Sequence, residues 1–434
     1  MNEQLDALLT KRRGFLGNLL SPYTTLDRCG PGPLNAYGPG LAFERMAASA
    51  DIESGYLVIQ RIMPAAYREL LAEALEAPLL AGLSPALISP ERRSLRWQLL
   101  CDRLRAPSLT IEARHAISYV LLTLGYYEQA GAMTAAYREC PNDPDAQVAA
   151  LSYLQGAIRY ILCINDSDYQ PDDVKRVAER APSGSRAKFL ASSRMLMYSG
   201  RFARNLEATR YWRAFNQECL EHLPLEPGGL FDCILRSRFW RSACFLPLLG
   251  REYRVVEEEL DRAESLARAA TCASLSDLIL KLGNLYPVLQ SRNRLATMLG
   301  HHDLALALAR EMFDLDPLYT IAHVDLGSAL IEVGQLEKAA SVFTRGFLLG
   351  PPLDDVAAYL AGHCYELLGR LPEARACYRC AAIADQHSVS AVGGLQRTAA
   401  VANDIGERQQ LDVMAAQLDI VVNEFAKGIR SHEL

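Results

Sequence analysis

An all-α fold, a solenoid of stacked helix–turn–helix pairs, is the class this sequence predicts, and three observations predict it. Pro317 to Pro351 and Gly300 to Gly334 are each 34 residues apart, the period of a stacked helical hairpin. Between those marks apolar residues recur three or four apart, not in strict alternation. Half of the 434 residues are apolar but only 8% are aromatic, a balance that suits helix-on-helix packing better than a β-sandwich.

The clearest unit runs from Thr320 to Pro351. Ala322, Leu326, Ala329 and Leu330 line one face of a first helix. Gly327 lacks a Cβ and lets the second helix approach closely. Gly334 ends the first helix, as glycine does at a helix C-terminus. The second helix places Ala339, Phe343 and Gly346 in a small–large–small series, and Pro351 stops it. A single pair cannot bury its own apolar face, so it needs neighbours on both sides.

Leu326, Gly327, Ala339, Phe343 and Pro351 resemble, residue by residue, the tetratricopeptide repeat. The next unit matches through Gly362, Tyr365, Gly369, Ala374, Tyr378 and Ala381, and the preceding one through Gly300, Ala305 and Pro317. A further match lies upstream at Leu121, Gly125, Tyr126, Ala130 and Pro141. The resemblance implies that first helices line a concave face. The positions it places there are Tyr119, Val324, Ser328, Ile331, Tyr359, His363 and Glu366. Family members that grip a C-terminal carboxylate carry Lys, Asn and Arg on that face; here Val324, Ser328, Ile331 and Glu332, then Tyr359, His363, Glu366 and Leu367 stand instead. The resemblance therefore implies a protein or peptide partner with apolar anchors.

Charge and cysteine usage bound the remaining classes. The net charge of −6 is too mild to mark nucleic acid or an acidic membrane as a global partner. Eleven cysteines scattered singly over a long chain read as free thiols of a reducing cytoplasm. The opening MNEQLDALLTKRRGF has early acids and no apolar core, so it does not read as a secretory signal. No apolar run reaches the length of a membrane span. The excess of arginine over lysine points to a GC-rich, bacterial genome.

In chain order, residues 2–20 read as a short amphipathic helix and Arg28 to Gly40 as a Gly/Pro-rich loop. That loop has neither G-x-G-x-x-G nor a closing Lys-Ser/Thr, so it does not read as a phosphate cradle. Gly55 to Met63 has strand character, and helices follow at about 65–76 and 91–105. Helix pairs begin at Ile111. Asp166 to Asp173 fails as a calcium loop because Pro171 and Val177 stand where glycine and glutamate are needed; Asp172 and Asp173 read instead as the start of a helix. Gly200 and Gly250 read as turns of longer pairs, and the last pair runs from about Val389 to Phe425. The expected domains are an irregular helical region at 1–109, divergent pairs at 110–283, tetratricopeptide repeats at 284–386 and capping helices at 387–434.

Chemistry is sparse. No hydrolase elbow, zinc-protease pair, Walker loop or nicotinamide fingerprint is present. Cys377 and Cys380 form a C-x-x-C with His363 and Cys364 upstream, but they fall inside a helix at small-residue positions, so packing is expected and no metal or cofactor. His301 and His302 sit in a repeat turn. From Arg186 to Arg241 ten basic residues face five acids, a local +5. Arg236, Arg238, Arg241 and Trp240 form its core, a candidate surface for an acidic partner or, more simply, an internally paired stretch.

The sequence reads as a non-enzymatic cytoplasmic adaptor or scaffold binding a peptide or protein, with no membrane and no nucleic acid partner. Two alternatives stand beside it. One is an enzyme or biosynthetic accessory protein whose active region lies in residues 1–109, with Cys29 as the nucleophile. The other is a ligand- or nucleic-acid-responsive regulator, although no DNA-reading helix-turn-helix is visible.

Overall fold

The computed structural model describes residues 109–401, apart from 124, 164–168, 274, 318, 386 and 387, together with 88, 90–95, 97 and 98. The expected helix at 2–20, the Gly/Pro loop with Cys29, the strand-like Gly55–Met63 and the helix at 65–76 lie outside the described residues, as does the chain beyond Val401. Among the described residues every regular element is helical. They fall into two compact units, one within Leu95–Arg292 and one made of Asn293 onward together with 88 and 90–94.

The first unit contains α1 (Ile111–Thr123), α2 (Tyr127–Thr134), α3 (Ala146–Cys163), α4 (Asp172–Arg180), α5 (Arg186–Met197), α6 (Leu206–Glu221), α7 (Leu230–Ala243), α8 (Phe245–Leu249) and α9 (Tyr253–Ala269). A long helix, α10 (Leu275–Met298), crosses the boundary between the units. The helix starts have local causes. Ser185 caps α5 by accepting from the Lys188 amide, and Asn205 caps α6 by accepting from the Ala208 amide. Asp172 and Asp173 occupy the first turn of α4, where negative charge suits the helix dipole. Leu151, Ile158, Phe189, Leu196 and Leu235 are fully buried on α3, α5 and α7, and α5 packs against α3, α4, α6 and α7. Asn216 is buried between α5 and α6; its amide donates to the Phe189 carbonyl and the Ser192 hydroxyl, and its oxygen accepts from Ser193. Each polar atom of that side chain is thereby satisfied without water.

The second unit continues with α11 (His302–Leu315), α12 (Thr320–Glu332), α13 (Leu336–Leu349), α14 (Asp354–Leu367), α15 (Leu371–Ala384) and α16 (Val389–Val401). Neighbours in sequence pack on one another from α11 to α16, as stacked hairpins require. The packing code is small against aromatic. A Cβ on Gly327 would stand 2.5 Å from the ring of Phe343, and one on Gly362 2.8 Å from the ring of Tyr378. Tyr378 also fills the space above Gly394 of the next pair. Both rings are fully buried.

The repeat turns share one hydrogen bond. The amides of Tyr126, His301, Gln335 and Arg370 each donate at 2.8 Å to the carbonyl five residues back. The residue before each is a glycine with φ between 72° and 81°. This is a Schellman closure, and its left-handed residue is why glycine recurs there. Gly200 and Gly250 depart from the expectation that they play the same part. At the second turn the Glu252 amide makes the equivalent bond to Pro247, and Arg251 adopts the left-handed conformation with φ 58°. Gly250 stands one position too early. Gly200 lies inside a π-helical turn, Tyr198–Phe202, where a Cβ on it would stand 2.5 Å from the Cβ of Phe245.

Candidate functional site

Helices α12 and α14 lie side by side and carry the candidate face of the second unit. Val324, Ser328 and Ile331 fall four and three apart on α12, so they share one side of it. Tyr359, His363 and Glu366 repeat that spacing on α14. Val324 and Tyr359 both rest on the core cluster of Phe347, Leu348, Ala357 and Ala358, which joins the two rows into one surface. Ser328 is exposed and its hydroxyl donates to the Val324 carbonyl at 2.8 Å. Tyr359 and His363 stack with a 7° interplanar angle and 6.4 Å between centroids. The Nδ1 atom of His363 is buried with no hydrogen-bond partner.

Glu366 is committed inside the fold. Its carboxylate accepts from Arg397 Nε at 3.0 Å and Nη2 at 2.9 Å, and from the Tyr378 hydroxyl. The Arg397 hydrogen bonds hold its carboxyl below the usual carboxylate range despite partial burial. Burial and the adjacent Glu366 push the Tyr378 phenol up, so it stays a neutral donor. Three helices, α14, α15 and α16, are thereby tied at one point, and the face carries no net charge there. Arg397 was not among the residues expected on this face. The signal was available: it follows His363 by 34 positions, one repeat on.

The other expected residues are placed differently. Tyr119 belongs to α1 in the first unit, and its side chain lies outside the described residues. On α7, Arg236 pairs with the nearly buried Asp232 at 2.5 Å. Trp240 packs edge-on against Phe239 at 5.2 Å, with the Arg262 guanidinium 4.9 Å above its ring. Arg238 and Arg241 are half-buried on the same helix. Cys377 and Cys380 stand one turn apart on α15, and Cys380 packs against the cluster under Tyr359. Cys364 is buried, which pushes its thiol up to about 11. Among the described residues no three His, Cys, Asp or Glu side chains are grouped to hold a metal ion. Among them, too, no helix is long and apolar enough to cross a membrane.

No family model and no curated protein matches this chain. Solved structures do. Yeast Tom70 is 12% identical, with 99% of this chain and 97% of that chain covered at a TM-score of 0.50. The fold is that of a TPR-like helical-repeat protein. The human IFIT1 dimer with m7Gppp-AAAA aligns at 14% identity over 89% of this chain and 99% of that one, with a TM-score of 0.44. A tetratricopeptide repeat protein of Parabacteroides merdae aligns at 14% identity over 66% and 98%, with a TM-score of 0.32.

Proposed function

We propose that this TPR-like protein is a non-enzymatic interaction module, a cytoplasmic bacterial adaptor that binds a peptide or protein segment on the α12–α14 face. The repeat block at 284–386 is the binding part. One observation carries the reading. Val324, Ile331 and Tyr359 are only half-buried, and they share one side of α12 and α14 with Ser328 and His363. The nearby charge, Glu366 with Arg397, is cancelled internally. Such a face suits apolar anchors.

The test is capture from the native host with wild type and with Tyr359→Ala. Tyr359 is half-buried at the surface, so its loss leaves the fold standing while removing an aromatic anchor worth roughly 2 kcal/mol or more. A partner retained by wild type and lost by the variant supports the reading. An identical captured set from both proteins contradicts it.

A further inference from the structure

Among the described residues, six turns put one left-handed residue directly before the N-cap of a second helix. Four of them use glycine: Gly125, Gly300, Gly334 and Gly369 precede Tyr126, His301, Gln335 and Arg370. The other two lie in the first unit and use arginine. Arg204, with φ 47°, precedes Asn205, the N-cap of α6. Arg251, with φ 58°, precedes Glu252, the N-cap of α9. The two arginines thus hold one structural position in two successive helix pairs. A left-handed backbone crowds the Cβ of any residue but glycine, so arginine there opposes folding. No contact in the fold offsets that cost. Both side chains are exposed, and among the described residues neither guanidinium makes a hydrogen bond, an ion pair or a ring contact. A strained residue that the fold does not use is a candidate for function.

The two turns emerge side by side. The π-helical turn Tyr198–Phe202 ends two residues before Arg204, and α8 ends two residues before Arg251. That turn packs against α8, and so does α6. Packed helices stand about 8–10 Å apart, so the two arginines leave the backbone at about that spacing. Two residues after each comes an exposed apolar side chain at the first position of the second helix. Leu206, 47% exposed, follows Arg204, and Tyr253, 36% exposed, follows Arg251. Each turn offers a cation beside an apolar side chain.

We propose that these two turns form a second docking surface, one that takes an acidic peptide segment in the polyproline II conformation. Arg204 and Arg251 bind its carboxylates, and Leu206 and Tyr253 meet the apolar side chains between them. The site is independent of the α12–α14 face. A guanidinium with no partner presents its donors as a fork that grips a carboxylate with two hydrogen bonds. Polyproline II has three residues per turn and rises about 3.1 Å per residue. Acids three residues apart therefore share one side of the segment at about 9 Å, the spacing of the turns. Glu207 and Glu252 are exposed beside the two arginines. They repel a chain charged at every residue, such as a nucleic acid, more than one charged at every third.

The probe is a fluorescent peptide of three Glu-Pro-Pro units, titrated with the protein by anisotropy at low ionic strength. Its controls are the Gln-Pro-Pro peptide and a single-stranded RNA of equal charge. The glutamate peptide binds and the glutamine peptide does not. Arg204→Gly with Arg251→Gly weakens binding roughly fivefold or more, the scale of two exposed ion pairs. Glycine also relaxes the left-handed turns, so the same variant melts at or above the wild-type temperature. Arg310→Gln, at an exposed arginine of α11, leaves binding unchanged. Equal binding of the two peptides, or unchanged affinity in the Arg204→Gly, Arg251→Gly protein, overturns the proposal. A clear fall in the melting temperature of that protein overturns it as well, because the arginines would then serve the fold. So does RNA binding more tightly than the glutamate peptide and being lost with the same arginines.

Discussion

Gly327→Ala adds one methyl group, and two effects of opposite sign follow. Alanine is the better helix former by about 1 kcal/mol in a helix interior, so in an exposed helix the change would stabilise. Here the new Cβ would lie 2.5, 2.6 and 2.8 Å from three carbons of the Phe343 ring. Real Cβ atoms do not approach so closely, so the ring or a helix has to move. Phe343 is fully buried, and displacing it disturbs the contact between α12 and α13. Overpacking of this kind costs roughly 1–3 kcal/mol, which exceeds the propensity gain. The net expectation is a loss of about 1 kcal/mol for alanine and more for Gly327→Leu. Circular dichroism with urea, comparing midpoints, reads it out. Gly327→Ala with Phe343→Leu relieves the clash and recovers part of the loss, a coupling that independent sites would not show. Gly327→Ala with a midpoint at or above wild type would refute the packing argument and the repeat register behind it.

Glu366→Gln is expected to destabilise by about 1 kcal/mol, because the pair with Arg397 is half exposed and screened. Its carboxyl is depressed in the folded state. That stabilisation is therefore present above the usual carboxylate range and is lost as pH falls through the depressed value. The variant lacks that acid-dependent part, and a denaturation series falling to pH about 3 shows it as a shallower slope; parallel slopes would count against the pair. His115, buried in α1, is lowered by burial to about 4. Between its ordinary value of 6.5 and that point the unfolded chain binds a proton that the folded chain refuses. Stability falls by up to roughly 3 kcal/mol as pH drops through this window. Burial lowers His323 as well and acts in the same direction. Asp355 is pushed up to about 7 by burial and by Asp354 and Asp385, and it acts in the opposite one. The comparison is therefore wild type against His115→Leu, and equal pH slopes would contradict the assignment.

Much of the fold was legible because its rules are local. A 34-residue spacing, a glycine closing each first helix and a small residue opposite each aromatic are read along one stretch of chain. Gly327 was read as a point of close helix approach and Phe343 as the large residue of the second helix; the contact joins the two, and Gly362 with Tyr378 repeats it in the next unit. Gly200 and Gly250 misled because a turn needs one left-handed residue, not a glycine at a fixed place; Arg251 supplies it at the second. The candidate face was legible as positions but not as partners. That Glu366 is tied to Arg397 and Tyr378 depends on three helices meeting, which no single helix encodes.

Site-specific photo-crosslinking tests the central claim most directly. A photoreactive phenylalanine replaces Tyr359 in one protein and Lys338 in another; Lys338 is exposed on α13, away from the α12 and α14 rows. Both are irradiated in the native host, and crosslinked peptides are identified by mass spectrometry. The account predicts a discrete segment bearing apolar side chains crosslinked from position 359 and absent from position 338. The same species from both positions, or none from position 359, would contradict the α12–α14 face as the place where this protein binds its partner.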